Sequence, residues 1–110
     1  MLDWSGYRKE LGGAIGGIAK LNPDLMKGHD LLAASATAGK VLDDKTRELI
    51  ALAVAATTRC DGCIAFHSEA AKQAGASREE LMEALTVAIA LNAGAALVYS
   101  ARAMDAFEKS

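Results

Sequence analysis

A chain of 110 residues is one domain by size, residues 1–110, with room for one small core. Its residues are 52% hydrophobic but only 5% aromatic, with a single proline, so the apolar mass is Ala, Leu, Ile and Val and points to an all-α fold. A net charge of −2 and a pI near 5.6 exclude a sequence-independent nucleic-acid binder, which needs a basic face. No block of like charges forms a polybasic membrane patch, and the segment Met1–Glu10 lacks the apolar stretch of a signal peptide. The longest uninterrupted apolar runs, 49–56 and 93–99, fall short of the roughly 20 residues that span a bilayer. A cytoplasmic protein with neither membrane nor nucleic-acid partners is expected.

In chain order, a first helix is predicted from Asp3 to Lys20. Its glycines at 12, 13, 16 and 17 each cost about 1 kcal/mol relative to alanine, so the segment is read either as a close-packing helix or as a broken one. Asn22-Pro23-Asp24 ends it and opens a second helix, Pro23 to about Ala38, closing at Gly39. Asp43 or Asp44 caps a third, Lys45 to about Thr58, whose centre at 49–56 is apolar on every side and reads as buried all round. A fourth starts near Cys60, with both cysteines in its first turn, and stops at Gly75. Ser77-x-x-Glu80 forms a capping box that opens a long final helix reaching about Phe107, with Asn92 and Gly94 as candidate kinks. That last region is too apolar for a monomer of this size, so a homo-oligomer joined through helices is expected.

The chemistry concentrates in Cys60-Asp-Gly-Cys63-Ile-Ala-Phe-His67. The spacings of three and four put both thiols and the imidazole on one side of a helix. Two thiols on adjacent turns can close a disulfide, and His67 can take a proton from Cys63. Thiolate is the reactive form of cysteine, and it is favoured at a helix N-terminus and beside histidine. Glu48 joins by geometry. Helices three and four are linked by a short turn near Arg59 and should form an antiparallel hairpin. Glu48, eleven residues before that turn, and His67, eight after it, then lie at about the same level. A carboxylate within an apolar helix needs a partner, and His67 is the available one.

Zinc is the rival reading, since Cys60, Cys63 and His67 supply three ligands and a catalytic-type site needs only three plus water. A closed structural site would need a fourth, and the chain has no second ligand pair. Neither a metal nor a cofactor is therefore assigned. His29 and Arg59 read as solvated surface residues, and Phe66 as core packing.

Lys45-Thr46-Arg47-Glu48-Leu49 followed by Cys60-x-x-Cys63-x-x-x-His67, with twelve residues from Glu48 to Cys60, resembles the AhpD-like alkylhydroperoxidase branch of the carboxymuconolactone decarboxylase family. The similarity continues through Gly75-Ala-Ser-Arg-Glu-Glu-Leu81 and covers roughly Asn22 to Phe107. The resemblance implies an all-α bundle of about five to six helices, with a central antiparallel hairpin carrying the Cys-x-x-Cys, assembled as a trimer or hexamer. It also implies a thiol-dependent peroxidase acting on hydrogen or organic peroxides. In that scheme Glu48 and His67 form a proton relay that deprotonates Cys63, and Cys63 attacks the peroxide and becomes a sulfenic acid. Cys60 resolves it as a disulfide, and an external dithiol reductant restores the pair. The family's better-known peroxidases carry a histidine immediately before the second cysteine, where this chain has Gly62. Three other functions compete: a disulfide oxidoreductase or redox sensor using the same dithiol, a lyase like the family's ring-lactone decarboxylases, and a non-catalytic helical assembly module.

Overall fold

A computed structural model describes all 110 residues, and they form five α-helices and no strand. These are α1 (Trp4–Leu21), α2 (Pro23–Thr37), α3 (Asp44–Thr58), α4 (Asp61–Gln73) and α5 (Arg78–Lys109). Each boundary has a local cause. Asn22 donates its backbone N–H to Ile18 at the end of α1, and its side chain accepts from the Leu25 N–H to start α2. The Asp43 carboxylate accepts the Thr46 N–H at the head of α3. Gly75, at φ 86°, ends α4 in a left-handed turn in which Ala76 N–H reaches Ala71 and Gly75 N–H reaches Lys72. The Ser77 hydroxyl and the Glu80 carboxylate then satisfy each other's backbone N–H groups and launch α5.

Helix α1 is continuous through its four glycines, and α5 is continuous through Asn92 and Gly94, with the Asn92 amide donating to the Ala88 carbonyl at 2.7 Å. At about 1.5 Å per residue the 32 residues of α5 run nearly the 52 Å length of the molecule.

The main packing follows a row in the spatial order α2, α1, α4, α3, α5. All four buried residues lie in its middle: Leu52 and Ala55 on α3, Ala65 and Ala71 on α4. The centre of α3 is thus buried on one side only, contrary to its all-round apolar sequence. Two flanking helices cannot enclose a third, and Ile50 and Val54 stay about half exposed. Phe66, expected in the core, is 43% exposed.

The row is open. The accessible surface is 8561 Å², whereas a compact monomer of 11.4 kDa exposes about 5,800 Å². The radius of gyration is 17.8 Å, against about 13 Å for a compact chain of this length. Much of the excess lies on α2 (Leu25, Leu31, Leu32) and on the far half of α5 (Leu91, Leu97, Val98, Phe107), neither of which has a buried residue. Residues 84–101 contain no charged side chain. By length and composition α5 is the one helix able to cross a membrane. The uninterrupted runs concealed this because Thr86, Asn92 and Ser100 break them without adding charge.

Candidate active site

The site is built on the α3–α4 hairpin. Between the two helices Arg59 takes the left-handed conformation (φ 55°, ψ 50°), and the following Cys60 N–H returns to the Ala55 carbonyl. Two residues therefore reverse the chain, and α4 runs back along α3. This brings Glu48 level with His67, and Glu48 Oε2 lies 2.7 Å from His67 Nδ1. A carboxylate only accepts, so Nδ1 carries the proton and Nε2 is left as the basic nitrogen. The Glu48 side chain is mostly enclosed, and that of His67 is partly open.

Cys60 is the N-cap of α4 rather than a first-turn residue, and Cys63 is the third residue of the helix. The two free thiols are in contact, with sulfurs 2.8 Å apart, and the Cys60 sulfur also accepts the Cys63 backbone N–H at 3.2 Å. The contact with the Cys63 thiol, followed by the hydrogen bond from the Cys63 N–H, holds the Cys60 thiol below its ordinary pKa. The same contact with Cys60, with burial adding to it, pushes the Cys63 thiol up. Of the two thiols Cys60 is therefore the more acidic, although the sequence places His67 one turn from Cys63.

Cys63 and His67, one helical turn apart, line a cavity of about 550 Å³ walled mainly by Val41, Leu42, Ile50 and Val54. Cys60 does not line it. Arg47 shapes the mouth by donating to the carbonyls of Gly39 and Leu42 and pairing with Asp44. No group of three His, Cys, Asp or Glu side chains is placed to hold a metal ion.

Helix α1 carried no predicted role, yet it packs on the opposite face of α4. Arg8 donates to the Ala65 carbonyl at 3.0 Å and pairs with Glu69 at 3.3 Å, and Leu11 lies over Gly62. The available signal was the spacing of Arg8 and Leu11, three apart on one face of a helix otherwise rich in glycine.

The family model for the carboxymuconolactone decarboxylase family matches residues 23–106. An uncharacterized protein of Haemophilus influenzae is 50% identical over 105 residues, covering 96% of this chain and 93% of its own. One from Cupriavidus necator is 30% identical, covering 90% and 88%. The crystal structure of an apo carboxymuconolactone decarboxylase family protein from Legionella pneumophila superposes with a TM-score of 0.75 at 42% identity, over 96% of this chain and 95% of that one. With the helical architecture, these matches establish that the chain belongs to the carboxymuconolactone decarboxylase family.

Proposed function

We propose that the protein is a thiol-dependent peroxidase of the AhpD-like branch. The observation that supports it best is the Glu48–His67 pair beside a contacting dithiol, with Cys63 and His67 on one apolar cavity. The proton leaves Cys63, and His67, oriented by Glu48, takes it up. The Cys63 thiolate attacks the terminal O–H oxygen of the peroxide and the O–O bond breaks. The departing alkoxide takes the proton from His67, giving an alcohol and a Cys63 sulfenic acid. Cys60 then gives up its own proton and attacks the Cys63 sulfur, the S–O bond breaks, and the departing hydroxide takes that proton and leaves as water. The dithiol loses two electrons and the peroxide gains them. An external dithiol reductant restores both thiols, which suits a reducing compartment such as the cytoplasm. The apolar walls favour organic peroxides over hydrogen peroxide.

The test is stopped-flow oxidation of the reduced protein by cumene hydroperoxide, with intact mass measured in wild type and Cys60→Ser. Loss of two hydrogens in wild type and gain of one oxygen in the variant are expected. Oxidation no faster than that of a free thiol would reject the peroxidase. A second reading, disulfide exchange with a client protein, draws on the low-pKa Cys60 outside the cavity. Faster reaction with a protein disulfide than with peroxide would select it.

We further infer that copies of the chain assemble through α2 and the far half of α5. The excess surface of about 2,800 Å² per chain is in the range of obligate interfaces. A trimer or hexamer would cover it.

A further inference from the structure

Helix α4 has two working faces. Cys63 and His67 point to one side, and Gly62, Ala65 and Glu69, at spacings of three and four, lie on the other. The second face is covered by α1, and the contacts there are specific. A Cβ built on Gly62 would stand 2.7 Å from Leu11 Cδ2, closer than real Cβ atoms come. One turn along, Arg8 is anchored to the Ala65 carbonyl and to Glu69. Helix α1 lies outside residues 23–106, the segment that the family model matches.

We propose that Leu11 and Arg8 are positioning residues for the dithiol: seated on Gly62 and Ala65, they hold the first turn of α4 so that the Cys60 sulfur stays under the Cys63 N–H. The first N–H groups of a helix have no partner within it, and this turn frays unless something holds it. Here the Cys60 sulfur is the cap, so fraying would cost it a hydrogen bond that stabilises its thiolate. A larger side chain at 62 would meet the end of the Leu11 side chain, which must turn aside to admit it.

The inference rests on the dithiol reading of the site but not on peroxide as the oxidant, so its test avoids peroxide. In the full-length reduced protein, the pH midpoint of iodoacetamide alkylation at Cys60 is measured by peptide mass for wild type, Leu11→Ala, Arg8→Met, Gly62→Leu and the swap Gly62→Leu/Leu11→Ala. Circular dichroism verifies that each variant is folded. The single variants are expected to raise the midpoint and slow alkylation at pH 7 by about threefold or more. The swap returns a leucine to the same space from α4 and should recover most of the loss. Unchanged midpoints in folded Leu11→Ala and Arg8→Met would overturn the proposal, as would a swap no better than Gly62→Leu. A wild type inert to peroxide would reject the peroxidase and leave these midpoints to decide the role of α1.

Discussion

The α3–α4 hairpin and the outer pair, α2 with the far half of α5, are built from similar apolar residues but finished to different degrees. The hairpin holds every buried residue and two contacting pairs, Glu48 with His67 and Cys60 with Cys63. The outer pair holds no buried residue and exposes Leu31, Leu32, Leu97 and Val98 by 64–74%. One chain therefore forms both side-chain pairs but leaves its apolar surface uncovered. The difference separates two kinds of requirement. Pairing a carboxylate with an imidazole needs a few atoms at hydrogen-bond distance, which one tight turn supplies. Covering a 32-residue apolar helix needs area, which a chain of 110 residues lacks.

The sharpest way to break the comparison is at the hairpin. Cys63→Ser should lower peroxide turnover by at least about a thousandfold, since it removes the proposed nucleophile. Helical content and assembly should be unchanged, checked by circular dichroism and sedimentation. Turnover that survives would place the chemistry elsewhere. Glu48→Gln should cost about a hundredfold, within the range of general acid–base catalysis, because the imidazole keeps a neighbour but loses its carboxylate. The pH profile of turnover gives the check: a curve of unchanged shape and height would remove Glu48 from the relay.

The outer pair should respond in the opposite sense. Leu97→Asp forfeits about 2 kcal/mol of apolar burial per chain in an assembly and introduces a charge that must lose water. Sedimentation velocity should show smaller species, whereas the alkylation behaviour of Cys60 should stay close to that of wild type. An unchanged sedimentation coefficient would show that this part of α5 faces solvent or another partner.

The two regions were also unequally legible. Helix starts were readable because Asn22, Asp43 and Ser77 each supply a side-chain acceptor at a fixed offset. The Glu48–His67 level was readable because one short turn fixes the register of an antiparallel hairpin. Which thiol is the more acidic was not, because it depends on the Cys63 thiol and then the Cys63 N–H meeting the Cys60 sulfur, a matter of cap geometry rather than spacing. The partial exposure of α3 was not readable either, since periodicity reports how apolar a helix is and not how many neighbours it has.

The smallest expected effect tests the turn that makes the hairpin. Arg59 is the only non-glycine residue with positive φ. A side chain there costs about 1 kcal/mol relative to glycine, because its Cβ crowds the following carbonyl. Glycine relieves that strain but gains freedom in the unfolded chain, which offsets part of the benefit. Arg59→Gly should therefore raise stability by somewhat less than about 1 kcal/mol in urea denaturation. If stability falls instead, the Arg59 side chain makes a stabilising contact, for instance across the groove it shares with Met82, Ile89 and Asn92 of α5. In that case the hairpin and α5 are coupled through Arg59, and the division between the finished region and the unfinished one is less sharp than the packing makes it.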